Sequence, residues 1–418
     1  MVIMMSETDP LHLAVALDGA GWHPAAWREP SARPRELFSP GYWLDLVTEA
    51  ERGLLDFVTF EDALALQSSR LDGTPDDRVD QVRGRLDAVL IAARVAPLTS
   101  RVGLVPTTSA LSTEPFHVSK AIATLDFTSG GRAGWRVQVG RAGETTHLGR
   151  RPPGPPLRAD NLASPEVQAY ITESFDETAD HVEVVRRLWD SWEDDAEIRD
   201  VATGRFVDRD RLHYIDFEGR WFSVRGPSIT PRPPQGQPVV TALAHATIPY
   251  RLAARAADIV YVTPHDADQA RAIVSEVRDE QDRAGRAGET LHVFADLLVV
   301  LDDDANAARQ RLRRLDDLLD APLRSDAAII AGSPAELADL LLDWQAAGIT
   351  GYRLRPAVLP DDLEAITRGL APELTRRGRF RAAYDTTTLR GHLGLPRPAS
   401  RYATRRDATT SRIEAAAR

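Results

Sequence analysis

Polar side chains that could contact a ligand follow most of the short apolar runs of this sequence. They occupy positions 18–23, 61–62, 106–109, 140–147, 244–247 and 353–356. Their carboxylate, imidazole, hydroxyl and guanidinium groups can bind or polarise a ligand, but they form no obvious acid–base pair. Because the chain contains no cysteine, disulfides, zinc–thiolate sites, iron–sulfur clusters and thiolate nucleophiles are excluded.

Composition also argues against several classes of activity and partner. Lys120 is the only lysine among 418 residues; it lacks the glycine-rich setting of a P-loop, and its place in a predicted helix argues against a Schiff base. The net charge of −11 argues against binding to nucleic acid or to an anionic membrane. The sequence begins without a secretory signal, and no apolar run reaches the ~20 residues that span a bilayer. We therefore expect a soluble, cytoplasmic protein.

Short strands and helices alternate along most of the chain, which is typical of a parallel sheet built from βαβ units. The predicted strands begin at Leu11, Leu55, Val102, Trp135, Val239, Asp258, Phe294 and Gly351. This number, about eight, is the number with which a (β/α)8 TIM barrel closes. An open doubly wound sheet is the alternative, but it needs a Gly-x-Gly-x-x-Gly turn after an early strand, and none is present. In a barrel the polar stretches lie together, because they follow the carboxyl ends of the strands.

Helices are predicted between these strands. Ser333 and Glu336 form a capping-box pair, with Pro334 at the first helical position, which predicts a helix over 333–347. Further helices are predicted over 40–52, 83–96, 114–125, 267–283 and 361–369.

The alternation breaks in the middle of the chain. Residues 140–173 are rich in Arg, Pro and Gly and are predicted to be irregular, and a helix over 175–192 and a hairpin around Gly219 follow. We therefore predict a single barrel domain over 1–418, with the barrel at about 11–378, insertions after strands one and four, the latter at about 141–235, and a C-terminal arm at about 379–418.

Several of these stretches resemble a known protein family. They read GWHPAAWR from Gly21, FVTFEDA from Phe57, VGLVPTTSALSTEPFHVSK from Val102, LDFTSGGRAGW from Leu125, HVEVVRRLWDSWEDDA from His181 and IDFEGRWFSVRGP from Ile215. The stretch APELTRRGRFRAAYDTTTLRGHLGLPRP, from Ala371, extends the match beyond the barrel. The chain resembles the bacterial luciferase-like flavin monooxygenases over nearly its whole length, and most closely their nitrilotriacetate and dibenzothiophene-sulfone monooxygenase branch.

The resemblance implies a TIM barrel, usually dimeric, that holds FMN at the carboxyl mouth. Such enzymes take reduced FMN from a separate flavin reductase and use dioxygen to oxygenate a small organic substrate. The cofactor carries the difficult chemistry, whereas the protein positions, shields and polarises it. We therefore expect a homodimer without an acid–base pair of its own, in which the arm is a candidate for a contact across the dimer interface.

Two flavin-contacting positions of the family are retained. Asp62, which closes strand two, matches an acidic residue near the flavin ring, although it could instead cap the segment that follows. Thr107, after strand three, matches a threonine whose hydroxyl binds the flavin or oxygen, although it could be an ordinary turn hydroxyl. His23 and Trp27, after strand one, match positions that line the substrate pocket, and His147 aligns with a loop close to the cofactor and is assigned to the same pocket.

Other positions differ from the family. Arg136 stands where relatives have an asparagine that helps to hold dioxygen, and a guanidinium cannot accept a hydrogen bond. Ile171 and Phe175 replace a His and a Tyr at the phosphate end of the cofactor. Relatives follow strand five with Gly-Ser-Ser and a later glycine, whereas this chain has Ala244-His245-Ala246 and Pro249, and a proline removes an amide donor.

These differences bear on cofactor affinity. A hydrogen bond to a charged group contributes about 1.5–3 kcal/mol, so three lost contacts would weaken FMN binding strongly unless other groups replace them. The candidates for replacement are His245, Arg136, Arg141 and Arg251. The predicted site consists of Thr107 and Arg136 as catalytic residues and of Asp62, Thr107, Phe175, His245 and Ala246 as cofactor-binding residues, with no metal.

Three functions are compatible with this pattern. The first is a reduced-FMN-dependent monooxygenase. The second is a deazaflavin-dependent oxidoreductase on the same barrel, which needs no dioxygen pocket. The third is a non-catalytic barrel that binds a ligand or supports a partner subunit, as the substitutions at the flavin-contacting positions suggest. Arginines at the mouth, Arg28, Arg136 and Arg353, hint at an anionic substrate such as a carboxylate or sulfonate.

Overall fold

The computed structural model describes residues 10–68, 70, 73, 76–140, 142–149 and 151–403 of the chain. The strands are β1 (His12–Leu17), β2 (Phe57–Phe60), β3 (Gly103–Ser109), β4 (Gly134–Gln138), β5 (Glu197–Asp200), β6 (Arg205–Val207), β7 (Phe217–Glu218), β8 (Ser223–Val224), β9 (Val239–Leu243), β10 (Ile259–Val262), β11 (His292–Leu301), β12 (Ala328–Gly332) and β13 (Gly351–Pro356). The helices are α1 (Pro40–Arg52), α2 (Ala88–Val95), α3 (Pro115–Ser129), α4 (Ala142–Leu148), α5 (Pro165–Asp190), α6 (Thr247–Ala256), α7 (Ala267–Arg283), α8 (Ala305–Leu319), α9 (Pro334–Ala346), α10 (Asp361–Ala365), α11 (Ala371–Arg376) and α12 (Leu389–His392).

A closed parallel barrel forms the centre of the fold. Its strands follow one another in the order β1, β2, β3, β4, β9, β10, β11 and β13. The ring closes because β13 pairs with β1, where Gly351 lies opposite His12, and because β10 pairs with β11, where Ile259 lies opposite His292. Nearly all residues of these strands are buried, since helices cover the outside of the barrel. The predicted TIM barrel is therefore confirmed.

A further strand, β12, was not predicted from the sequence. It pairs with the second half of β11, Leu297–Leu301. β11 has ten residues, whereas its neighbour β10 has four. The upper half of β11 therefore extends beyond β10, and β12 supplies backbone partners along the edge that would otherwise be open.

The segment after β4 contains more helix than predicted. The prediction of an irregular segment over 140–173 is wrong, because α4 and the first part of α5 lie there. α5 begins at Pro165 rather than at Phe175, and the side chain of Ser164 accepts the N–H of Val167. A serine cap followed by proline is a helix-start signal that the prediction overlooked. The predicted hairpin is confirmed as β7–β8, and a second hairpin, β5–β6, precedes it.

Helix boundaries agree with the prediction elsewhere, with two exceptions. One is α3, which continues to Ser129 whereas the prediction ends at Leu125. α1 and α7 have the predicted bounds, and in α9 Ser333 and Glu336 form the predicted capping box. The helix predicted over 83–96 begins only at Ala88. Asp87 is its N-cap residue, and the side chain of Asp87 accepts the N–H of Leu90. The described residues between β2 and α2 therefore form a third long loop at the mouth. Among the described residues, no helix combines the length and the apolar character that a membrane span requires.

The described part of the C-terminal arm closes the lower end of its own barrel. Leu389 and Leu393 pack inside the barrel against Phe57 and Phe294. Gly103 provides space for this insertion, because a Cβ at that position would lie 2.6 Å from Leu389. The arm, which the sequence suggested for a dimer contact, thus packs into the chain that carries it.

We expect Leu389→Ala to lower the free energy of unfolding by about 2–5 kcal/mol, because it leaves a cavity in a closed core. Denaturant unfolding followed by tryptophan fluorescence measures this change. Leu90→Ala is the control: Leu90 is 68% exposed on α2, so its loss should cost about 0.5 kcal/mol or less. Equal losses for both variants would contradict the role of the arm in closing the barrel.

Candidate active site

A layer of buried charges lies inside the barrel near the carboxyl ends of the strands. Arg353, on β13, donates from Nε to Asp296 Oδ1 of β11 (2.8 Å) and from Nη1 to Glu61 Oε1, just after β2 (3.2 Å). The side chains of Arg353 and Asp296 are fully buried. An ion pair in such a place is stable only when each partner is well hydrogen-bonded, and here each carboxylate contacts two guanidinium groups.

Arg136 and Arg355 extend this layer to either side. Arg136 Nη1, on β4, donates to Glu61 Oε2 (2.9 Å) and to Thr107 Oγ1 on β3 (3.1 Å). Arg355 donates from Nε to Asp296 Oδ2 (3.0 Å) and from Nη1 to Asp326 Oδ1 (2.6 Å). The charge layer therefore joins β2, β4, β11 and β13 and reaches the segment before β12.

The carboxylates of the layer are ionised at neutral pH. Burial alone would raise the pKa of Asp296, but the guanidinium groups of Arg353 and Arg355 outweigh burial and lower it. The pKa of Glu61 is lowered in the same way, because Arg136 and Arg353 outweigh burial.

The three arginines differ in how well their charges are balanced. For Arg353 the attraction of Asp296 and Glu61 outweighs burial and raises the pKa. For Arg355 the attraction of Asp296, supported by Asp326, likewise prevails. For Arg136 burial is the stronger effect and lowers the pKa in spite of Glu61. Arg136 is therefore the guanidinium of the layer whose charge is least compensated.

A cavity of about 310 Å³ lies between β4, β9 and α5, beside Arg136. Arg136 and Gln138, two residues apart on β4, face it together. Ile171 and Phe175 of α5 form part of an apolar wall. Within the described part of the chain, neither Arg136 Nε nor Gln138 Nε2 has a hydrogen-bond partner, although both atoms are buried. Buried donors are normally satisfied, so this pair indicates a place for acceptor atoms of a ligand.

A second cavity, of about 210 Å³, follows β1. Its lining includes Asp18, Arg85 and His23, and Arg85 Nε donates to Asp18 Oδ1 at 3.0 Å. Both ring nitrogens of His23 already have partners: Nδ1 accepts the N–H of Ala25 (3.0 Å), and Nε2 lies 3.2 Å from Asp316 Oδ1. Burial lowers the pKa of His23. The ring of His23 thus shapes the cavity, while its nitrogens hold the loop in place.

The structure brings only some of the predicted residues together. Arg136 and Phe175 line the larger cavity, and Thr107 lies directly behind Arg136. Trp27 and His147 line neither of the two cavities. Trp27 Nε1 donates to the backbone oxygen of Asp80 (2.9 Å), and His147 is exposed on α4. Their substrate contacts stay predictions.

Asp62 stabilises the start of the segment that follows it, which is the alternative role given for it in the sequence analysis. Its carboxylate accepts the N–H groups of Ala63 (2.7 Å) and Ala88 (2.9 Å), so it fixes the start of α2. Burial raises the pKa of Asp62 and outweighs these two hydrogen bonds. A cofactor contact by Asp62 stays a prediction.

The segment after β9 is polar at one position. His245 Nδ1 lies 2.9 Å from Thr263 Oγ1, and Nε2 lies 3.4 Å from Asp326 Oδ2. His245 therefore contacts the outer end of the charge layer. Ala246 is the N-cap of α6 and gives that helix no side-chain cap. Of the other proposed replacements, Arg251 pairs with Glu280 on α7, and Arg141 lies outside the described residues.

Several residues of this site were missed from the sequence. Asp296 lies in a strand that is otherwise almost entirely apolar, and Arg355, which lies in the polar stretch 353–356, had no predicted role beside Arg353. A charge in a strand buried on both faces must have a partner inside the fold, so these positions carried a usable signal. Gln138 carried the same kind of signal, two residues after Arg136. Among the described residues, no group of three or more histidine or acidic side chains could hold a metal ion.

Comparison with known proteins defines the class. The family of luciferase-like monooxygenases matches residues 20–325, and the chain belongs to this family. It is 29% identical to the N-acetyl-S-(2-succino)cysteine monooxygenase of Bacillus subtilis (strain 168), over 96% of this chain and 100% of that protein. It is 28% identical to nitrilotriacetate monooxygenase component A of Aminobacter aminovorans, over 94% and 98% of the two chains.

A solved structure shows the same fold. The riboflavin lyase RcaE, described with modified FMN and its substrate riboflavin, superposes with a TM-score of 0.80 at 23% identity and covers 94% of this chain and 98% of its own. The resemblance noted from the sequence is therefore confirmed, and so is the expected class, a luciferase-like monooxygenase.

We expect Asp296→Asn to lower the free energy of unfolding by about 3–5 kcal/mol, because two buried guanidinium groups lose a shared counter-charge. Denaturant unfolding at pH 7 measures the change. Asp339→Asn is the control, since Asp339 pairs with Arg377 but its side chain is 73% exposed, and an exposed pair contributes about 0–1 kcal/mol.

The difference between wild type and Asp296→Asn should also depend on pH. The folded-state pKa of Asp296 lies below its ordinary value, so its contribution is complete above the unfolded pKa of about 4. The contribution is lost as the pH falls through the lower, folded-state pKa. Unfolding measured from pH 7 to pH 2 should show a constant difference down to about pH 5 and a shrinking one below about pH 4. A difference that grows on acidification would contradict this assignment.

Proposed function

We propose that this chain is the oxygenase of a two-component system that uses reduced FMN and dioxygen to oxygenate a small organic substrate. A separate flavin reductase supplies the reduced cofactor. The observation that supports the proposal best is the cavity beside β4, where two buried donors, Arg136 Nε and Gln138 Nε2, have no partner among the described residues.

The cavity suits a flavin in size and chemistry. Its volume of about 310 Å³ falls at the lower end of the ~300–1,000 Å³ usual for ligand sites. A flavin is a flat, largely apolar ring system with carbonyl oxygens at one side. Phe175 and Ile171 provide an apolar surface, while Arg136 and Gln138 provide donors for oxygen atoms.

The phosphate end has fewer donors than the family pattern. The first turn of a helix leaves its N–H groups without helical partners, and α6 begins at Thr247 with Ile248 second. Pro249, the third residue, has no N–H. Three backbone donors, those of Ala246, Thr247 and Ile248, therefore remain at this helix terminus, and His245 is a polar side chain beside them.

Bound reduced FMN supplies the electrons with which dioxygen is activated. The residues of the chain position and shield the reacting groups. Thr107 Oγ1 accepts a hydrogen bond from Arg136, and in this proposal its hydroxyl proton is donated to an acceptor beside Arg136. α5 forms one wall of the cavity with Ile171, Ser174 and Phe175, so a ligand held against this wall is partly removed from water and its hydrogen bonds are stronger than at the surface.

The substrate enters, in this proposal, through the polar cavity after β1. Gln67, Gln81 and Arg85 line that cavity with hydrogen-bonding groups. The named substrates of two relatives, nitrilotriacetate and N-acetyl-S-(2-succino)cysteine, carry several carboxylates, which agrees with a polar entrance. A homodimer and a cytoplasmic location stay predictions.

Ligand titration tests the function directly. Purified protein is titrated by fluorescence with oxidised FMN, with reduced FMN under anaerobic conditions, and with a deazaflavin. Micromolar binding of reduced FMN, followed by oxygenation of a supplied carboxylate substrate in the presence of a flavin reductase, supports the proposal. A preference for deazaflavin would indicate a hydride-transferring oxidoreductase, and no flavin binding would indicate a non-catalytic barrel.

We expect Thr107→Val to lower turnover at least tenfold, because the hydroxyl is lost and a similar shape is kept. Thr107→Ser restores the hydroxyl and should recover most of the activity. Thermal unfolding of both variants checks that the fold is retained. Wild-type turnover in Thr107→Val would remove Thr107 from the mechanism.

A further inference from the structure

The charge layer compensates its three guanidinium groups unequally. Arg353 pairs with both Asp296 and Glu61, and Arg355 pairs with both Asp296 and Asp326. Among the described residues Arg136 pairs with one carboxylate, that of Glu61, which it shares with Arg353. The positive charge of Arg136 is therefore the least compensated of the three.

This least compensated guanidinium faces the cavity. Arg353 and Arg355 each contact Asp296, and their pKa values are raised, whereas the pKa of Arg136 is lowered because burial prevails. Arg136 lines the cavity, and its Nε has no partner among the described residues. A partly uncompensated charge beside a partly apolar cavity acts more strongly on a ligand there than it would in bulk water.

We propose that Arg136 makes the cavity select the reduced, anionic form of FMN over the oxidised form. The inference rests on the proposed function and assigns to one residue the choice between two states of the cofactor. At neutral pH the oxidised ring takes up two electrons and one proton, so the reduced ring carries one negative charge more. A buried cation beside the ring stabilises that additional charge.

Gln138 provides an internal comparison. It lies two residues after Arg136 on the same face of β4 and also offers a buried donor without a partner among the described residues. An amide donor is neutral, so it holds an acceptor atom nearly equally well in both states of the ring. Arg136 and Gln138 therefore separate the effect of charge from the effect of hydrogen bonding.

The experiment measures the dissociation constants of oxidised and reduced FMN for the full-length protein, anaerobically, and the midpoint potential of the bound flavin. Wild type should bind reduced FMN at least tenfold more tightly than oxidised FMN. Arg136→Gln should reduce this ratio at least tenfold, which corresponds to a potential more negative by about 30 mV for a two-electron couple. Arg136→Lys should keep most of the preference, because it keeps the charge.

Two further variants keep the inference testable even if the Arg136→Gln variant does not fold. Gln138→Leu should weaken the binding of both forms by a similar factor and leave their ratio unchanged. Glu61→Gln removes the carboxylate that compensates Arg136, so it should increase the preference for reduced FMN at least threefold. Circular dichroism and thermal unfolding confirm that each variant is folded.

The outcomes are distinguishable. An unchanged ratio in Arg136→Gln, or in Glu61→Gln if Arg136→Gln does not fold, overturns the inference while leaving the proposed function intact. If Arg136→Gln weakens the binding of oxidised and reduced FMN by the same factor, Arg136 has a purely hydrogen-bonding or structural role, and this outcome also overturns the inference. Failure of wild type to bind either form of FMN overturns the proposed function itself.

Discussion

The pairing of Arg353 with Asp296 and Glu61 is the interaction on which the mouth of this barrel depends. It joins β11 and β13 to the residue that follows β2, and through Glu61 it fixes Arg136 on β4. Buried charges of this kind are costly unless every partner is present, so the geometry of each residue is set by the others. Through Arg136 the layer supplies one of the two buried donors that face the cavity.

The sequence predicted the frame of the molecule better than its site. Apolar runs a few residues long indicated the eight barrel strands, and local signals such as the Ser333–Glu336 pair placed helix ends correctly. β12 was not predicted because it pairs with the part of β11 that extends beyond the shorter strand β10. No local sequence pattern indicates this difference in strand length. The predicted start of α5 lies too far along the chain, because the serine cap at Ser164 stands within a proline-rich segment that was predicted to be irregular.

The site was predictable only in part, because its contacts join residues far apart along the chain. Thr107, Arg136 and Phe175 were identified through the family resemblance, and the structure places them close to one another. Glu61 and Arg353, which are 292 positions apart, could be identified as polar residues at strand ends but not as partners. The same resemblance suggested a flavin contact for Asp62, which stays a prediction, while the structure shows that its carboxylate accepts backbone N–H groups at the start of α2.

The position of the C-terminal arm at the end of the chain affects how the barrel is completed during synthesis. The arm follows every strand of the barrel along the chain, yet Leu389 and Leu393 fill the space into which the inner side chains of those strands point. During synthesis the lower end of the barrel consequently stays open, with apolar surface in contact with water, until the arm has emerged from the ribosome. The cell must therefore protect a nearly finished but unsealed chain for the few seconds that this last segment requires.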